Sequence, residues 1–191
     1  MTTITSEDLR KVLRDHVAWC RDESDGACAD LRGVVFPCAD LHSTTLCESN
    51  FTGADLRGAD VRYSVLNRAN FGAVNLNSAN LESAELMDVN FKSATMIRAN
   101  LSGTYLRMAD LQYARLDDAQ LENADLTDAD LRDAIFQRAN LKGANLQGVD
   151  LEGADLTAAD LTDATLTGAN FENADLTNVR GFSPPRRSPK P

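Results

Sequence analysis

Histidine, cysteine and paired carboxylates are the side chains from which nucleophilic, acid–base and metal chemistry is usually built. The chain carries two histidines, His16 and His42, and four cysteines, Cys20, Cys28, Cys38 and Cys47. A Ser or Cys nucleophile needs a histidine base within hydrogen-bond reach, and neither histidine has one at a recognisable nucleophile spacing. The cysteines all lie in the first quarter of the sequence, yet no Cys-x-x-Cys pair is present to clamp zinc. Free thiols are expected, with a Cys20–Cys28 disulfide as the alternative. The 29 Asp and Glu residues are spread along the chain without pairing into an acid–base site. These residues predict no catalytic centre, no metal site and no cofactor.

What must position every side chain is a repeat of five. Counting from Leu31 to Leu176 in steps of five gives 30 central positions, of which 22 are Leu, six Phe, one Val61 and one Met96. Two residues before each centre stands a small residue: 22 Ala, four Val, two Thr and two Ser. A period of five fits neither an amphipathic helix nor a plain strand, so each repeat is a short extended piece followed by a turn. Side chains alternate along an extended piece, so the centre and the small residue both point inward. The residue between them points outward, and it is Asp or Asn in 20 of the 30 repeats, the types that bond to nearby backbone in turns.

Sorting by 20 residues collects like with like. Phe51, Phe71, Phe91 and Phe171 fall on one face and Phe36 and Phe136 on the next, while nearly all outward departures, such as Val35, Val65, Tyr105, Arg115 and Ile135, fall on two faces. Four repeats therefore make one coil. The A(D/N)LxG pattern over residues 29 to 178 resembles the pentapeptide-repeat family. That resemblance implies an all-β fold, a right-handed quadrilateral parallel β-helix with a dry interior of Leu or Phe layers alternating with Ala layers. Thirty repeats give 30/4 = 7.5 coils, a rod of roughly 36 Å at about 4.8 Å per stacked strand.

The ends differ. Residues 1–28 read as a short capping helix and linker: Leu9, Val12, Leu13, His16, Val17 and Cys20 are spaced helically over 5 to 22, with Thr5 as N-cap and Asp8 three residues on. A similar helix with a His-x-x-Trp pair, here His16 and Trp19, begins many bacterial relatives. Residues 29–179 form the β-helix. Residues 180–191, with four positive charges and four prolines after Val179, read as a disordered basic tail. Such a tail leaves the last coil near Phe171 and Leu176 with an edge that Phe182 covers in part, and a homodimer through that edge is expected.

The remaining chemistry lies on the outside. Tyr63, Val65, Met87, Tyr105 and Met108, with Arg68 and Arg107 beside them, map to one mid-rod patch of the kind that binds proteins. Charge is uneven: residues 116 to 179 hold 14 acidic and three basic residues. The family resemblance implies, for some members, mimicry of duplex DNA toward the type II topoisomerases DNA gyrase and topoisomerase IV. For this chain that role would fall to Asp117, Asp118 and Asp128. A net charge of -10 argues against direct nucleic-acid binding, and no stretch approaches the roughly 18 apolar residues of a membrane helix. A charged N-terminus in place of an apolar leader predicts a cytoplasmic protein. The sequence reads as a non-enzymatic protein-interaction module, or alternatively as a DNA mimic.

Overall fold

The computed structural model describes residues 2–24 and 26–182. Helix α1, Ser6–Cys20, starts where local chemistry requires: the Thr5 side chain accepts the Asp8 N–H at 3.1 Å, and the Asp8 carboxylate accepts the Thr5 N–H at 2.8 Å. This closes a capping box inside the predicted span. Leu9 and His16 are buried, and Val12 and Leu13 pack partly buried against the core. The sequence pattern gave no sign of strand β1, Thr2–Thr3, which pairs in parallel with β2, Val34–Val35, in the register Thr2 to Val34. The chain thus adds one strand of its own to the first coil before the helix begins, which hides ladder groups that would otherwise face solvent.

Beyond β2 the body is an unbroken series of parallel bridges. Each joins an outward residue to the one 20 residues further on, from Asp30 with Asn50 to Asp160 with Arg180. The backbone closes the same spacing from both sides: Leu66 N–H donates to Glu85 C=O at 2.8 Å, and Asn70 N–H donates to Ser49 C=O at 2.8 Å. Within a repeat, the N–H three residues after a centre returns to that centre's carbonyl, as from Ala54 to Phe51 at 2.9 Å. The second residue after every one of the 30 centres has positive φ, the mark of a type II turn, and 22 of those residues are not glycine. None of the 22 is β-branched, the class for which this conformation is most strained.

The interior follows the predicted layers. From Leu41 to Leu161 every centre is at most 2% exposed. Phe51, Phe71 and Phe91 stack with ring centroids 4.4 and 5.1 Å apart. Where the small position is polar it is still satisfied: the hydroxyls of Ser49, Ser64 and Thr104 are buried and donate to the carbonyls of Leu46, Val61 and Leu101 at 2.6 to 2.7 Å. Burial is incomplete at both ends: Phe36 in the first coil is partly exposed, and so are Leu166, Phe171, Leu176 and Val179 at the far end, where Phe182 sets its ring edge against Phe171 at 5.1 Å. The tail expected to be disordered lies, past Phe182, outside the described residues.

Candidate functional site

The outward Asp and Asn residues work for the backbone. All 20 accept, through Oδ1, the N–H two residues further on. A column of carboxylates on this rod is therefore first a column of turns.

One consequence concerns arginine. In the coil repeats that read Asp-Leu-Arg or Asp-Val-Arg, the Asp carboxylate, already bound to the Arg N–H, also accepts from the Arg side chain. Asp60 takes Arg62 Nε at 2.9 Å and Nη2 at 2.6 Å, and the same fork closes at Asp30–Arg32, Asp55–Arg57 and Asp130–Arg132. The Arg62 fork holds the Asp60 carboxyl at about 2 and raises Arg62 in turn. Other coil arginines find a carboxylate by stacking or across a centre: Arg68 with Glu48 at 3.4 Å, Arg115 with Asp117 at 3.3 Å, Arg180 with Asp160 at 3.8 Å, and Arg138 with both oxygens of Asp118 at 2.7 and 2.8 Å.

Arg107 follows Tyr105-Leu106, so tyrosine stands where the fork would have its aspartate. Among the described residues its side chain has no carboxylate within ion-pair distance, and its N–H has no acceptor in the chain. At Met87, where Glu85 replaces the aspartate, Asn67 Oδ1 from the previous coil takes the N–H at 2.8 Å instead. Met87 occupies that stacked position below Arg107 and offers no oxygen.

The predicted patch residues are exposed around this point: Tyr63 53%, Met87 46%, Tyr105 52% and Met108 65%. Val65 departs from expectation, being half-buried between its bridge partners Thr45 and Glu85. Met87, Arg107 and Met108 come together with Asn67 and Arg68 along a corner groove of about 610 Å³. A regular rod was expected to offer no pocket; the long side chains at this corner build one. Tyr105 lies outside its lining, two residues before Arg107, and Tyr63 does not line it either and instead meets the His42 ring edge-on at 5.6 Å. Tyr113, also exposed, lies at another corner, with Lys92 Nζ 5.6 Å from its ring centroid.

The three acidic positions singled out from the sequence have different fates. Asp117 is only 8% exposed and pairs with Arg115, and Asp118, lowered below the usual carboxylate range by its hydrogen bonds from Arg138, is neutralised. Asp128 is exposed and has no cationic partner among the described residues. Other exposed acids of the same region, Asp133, Glu152 and Glu172, were not singled out; their outward position after a centre was the available signal.

The helix holds a histidine–thiol contact that a scan for nucleophile spacings overlooks, although the four-residue separation on a helix signals it. His16 Nε2 lies 3.4 Å from Cys20 Sγ, and His16 Nδ1 accepts the Ala29 N–H at 3.0 Å. A nitrogen that accepts a backbone N–H carries no proton, so the proton of the neutral ring sits on Nε2, facing sulfur. In that tautomer His16 cannot take the thiol proton. Burial pushes the imidazole below its ordinary value, and desolvation raises Cys28 and Cys47. All four cysteines are free thiols, so the Cys20–Cys28 disulfide is not formed. Among the described residues no group of three or more His, Cys, Asp or Glu side chains is placed to hold a metal ion, and no helix is long and apolar enough to cross a membrane.

The sequence matches the family model of pentapeptide repeats in eight copies, over segments that together run from residue 27 to 180. No curated protein matches it. Among solved structures, a trypsin-treated form of QnrB1, a plasmid-mediated fluoroquinolone resistance protein, superposes with a TM-score of 0.63 at 20% identity over 79% of this chain and 81% of that one. HetL, a pentapeptide repeat protein involved in heterocyst differentiation regulation in the cyanobacterium Nostoc, is 24% identical over 94% of each chain with a TM-score of 0.29. Another pentapeptide repeat protein from Nostoc is 33% identical over 66% of this chain and 83% of its own, with a TM-score of 0.22. The match to the family model over most of the chain, with its 20-residue bridges, places the chain in the pentapeptide repeat family, whose members form right-handed β-helices.

Proposed function

We propose that this protein is a non-enzymatic interaction rod, a four-sided right-handed β-helix of about 7.5 coils on the 20-residue period of its bridges, that docks a protein partner on the corner formed by Met87, Tyr105, Arg107 and Met108. The observation that carries this reading is the exposure of large apolar side chains at that corner, on a body whose other outward positions are mostly turn-forming and polar. Exposed Met, Tyr and Arg around a groove are the composition of protein interfaces. Affinity capture with the wild type and with Tyr105→Arg tests it. Partners held by the first and lost by the second support the corner as the site, and an identical set from both rejects it.

A second reading, a DNA mimic toward a type II topoisomerase, draws on the excess of 14 acidic over three basic residues between 116 and 179. Its charge would rest on Asp128, Asp133, Glu152 and Glu172 more than on the paired Asp117 and Asp118. Supercoiling by bacterial gyrase, measured with and without a fluoroquinolone at two salt levels, tests it. Salt-sensitive inhibition or protection supports mimicry, and no effect up to about tens of micromolar rejects it.

A further inference from the structure

We infer that the partner segment received at the Met87, Tyr105 and Met108 corner is acidic, and that a carboxylate of that segment binds Arg107. The inference rests on the interaction reading above and names the chemistry of the occupant. At four places in the coils where Asp stands two residues before Arg, three donors of the arginine, its N–H, Nε and Nη2, turn to that aspartate, at 3.3, 2.8 and 2.6 Å in Asp30–Arg32. Tyr105 removes that acceptor at Arg107 and adds an exposed ring. Of the neighbouring carboxylates, Glu85 accepts Asn67 Nδ2 at 3.3 Å, Glu48 holds Arg68, and Asp125 accepts the Thr127 N–H at 3.1 Å, while Asp88, which also lines the groove, is not within ion-pair distance of Arg107. Among the described coil arginines only Arg98 and Arg107 have no carboxylate within ion-pair distance, and Arg107 stands beside the most exposed large apolar side chain, Met108.

Those features define the occupant. A guanidinium with a free fork selects a planar carboxylate by two parallel hydrogen bonds. The flexible thioethers of Met87 and Met108 adapt to an aliphatic or aromatic side chain next to it. The partner is a segment with Asp or Glu beside a bulky apolar residue, and the acidity of the rest of the rod repels such a segment from other sites and confines it to this corner.

The test uses the full chain as bait for displayed random 12-residue peptides. Enriched peptides are then synthesised, and their affinities are measured by fluorescence anisotropy. Selected sequences should carry Asp or Glu adjacent to Leu, Phe or Trp. Tyr105→Asp rebuilds the Asp–Arg fork found at four other places in the coils, so the fold and melting temperature should hold while peptide affinity falls at least about tenfold. Arg107→Gln should do the same, and changing the peptide acid to its amide should weaken binding to the wild type but not further to Arg107→Gln. Peptides that bind through Met87 and Met108, shown by loss in the Met87→Ser/Met108→Ser variant, but that tolerate loss of their acid overturn the carboxylate inference and leave the interaction reading in place. Peptides indifferent to the paired Met substitution overturn both.

Discussion

His16 Nδ1 accepts the N–H of Ala29 at 3.0 Å, and this single bond ties helix α1 to the first small inward position of the β-helix. It fixes the ring tautomer, aims the remaining ring proton at Cys20, and sets Trp19 5.3 Å from the imidazole. The histidine is fully buried, so protonation destroys the acceptor and places a charge where there is little water.

Acid should therefore release the cap before the rod. The folded His16 lies below its ordinary value of 6.5 because burial penalises the charged form, a shift that Glu48 partly opposes. The unfolded state binds more protons below pH 6.5, so the contribution of His16 is complete above that pH and declines as pH falls toward the folded value. The coil carboxylates act in a lower window: Asp60, held at about 2, contributes fully above the ordinary 3.8 and loses that contribution as pH falls toward 2. Trp19 is the sole tryptophan, and its fluorescence should change as pH falls below 6.5, while far-ultraviolet circular dichroism persists to below about pH 4. In His16→Gln the fluorescence change in the upper window should disappear. Coincident loss of both signals in the wild type would refute the order.

The turn positions should reject β-branching even where they face solvent. Ser93 is exposed with φ +58°, so Ser93→Val places a branched side chain in the left-handed region at a cost of about 1–2 kcal/mol without touching the core. Ser93→Gly, with no Cβ to strain, should be neutral or slightly stabilising. Urea titrations of the three proteins measure this, and equal midpoints for Ser93→Val and the wild type would contradict it.

Inside the rod the cost of a cavity should depend on position along the axis. Phe71 is fully buried between Phe51 and Phe91, so Phe71→Ala should cost about 3–5 kcal/mol, and Phe71→Leu, which installs the residue found at most other centres, under about 2 kcal/mol. Phe171 is partly exposed in the last coil, so Phe171→Ala should cost well under half of the Phe71→Ala value. Chemical denaturation followed by circular dichroism gives the comparison.

What the sequence made legible is what the period of five encodes. Inward centres, small inward positions and the capping box at Thr5 and Asp8 are each specified by residues close in the chain, and all appear in place. Strand β1 escaped because two threonines carry no pattern; their pairing with Val34 and Val35 depends on an edge created 30 residues later. The burial of Asp117 escaped because its surroundings come from other coils: it stands between Ile97 and Gln137 in the 20-residue stack, and Arg115 folds over it. The Arg107 site was half legible. Its exposed neighbours followed from alternation, but the meaning of Tyr105 emerged only with the Asp-Leu-Arg fork, a side-chain geometry that no hydropathy pattern records.

The C-terminal coil supplies the last prediction. Leu166, Phe171, Leu176 and Val179 are partly exposed at the end of a body whose centres from Leu41 to Leu161 are sealed, and Phe182 sets one ring edge against Phe171. The last repeats also lack the outer ladder: Phe171 N–H and Leu176 N–H have no carbonyl partner among the described residues, whereas Leu151 N–H and Leu156 N–H reach Asn170 and Asp175 at 2.8 and 2.9 Å. An apolar end whose strand groups have no partner among the described residues pairs most simply with its own copy, because a two-fold axis matches the same edge to itself. Light scattering after size exclusion should give a mass near 41.4 kDa, twice the 20.7 kDa chain. Leu176→Glu places a charge in that apolar end and should return the protein to 20.7 kDa without loss of the β-sheet signal. A wild type that remains monomeric at high concentration would exclude pairing through this edge.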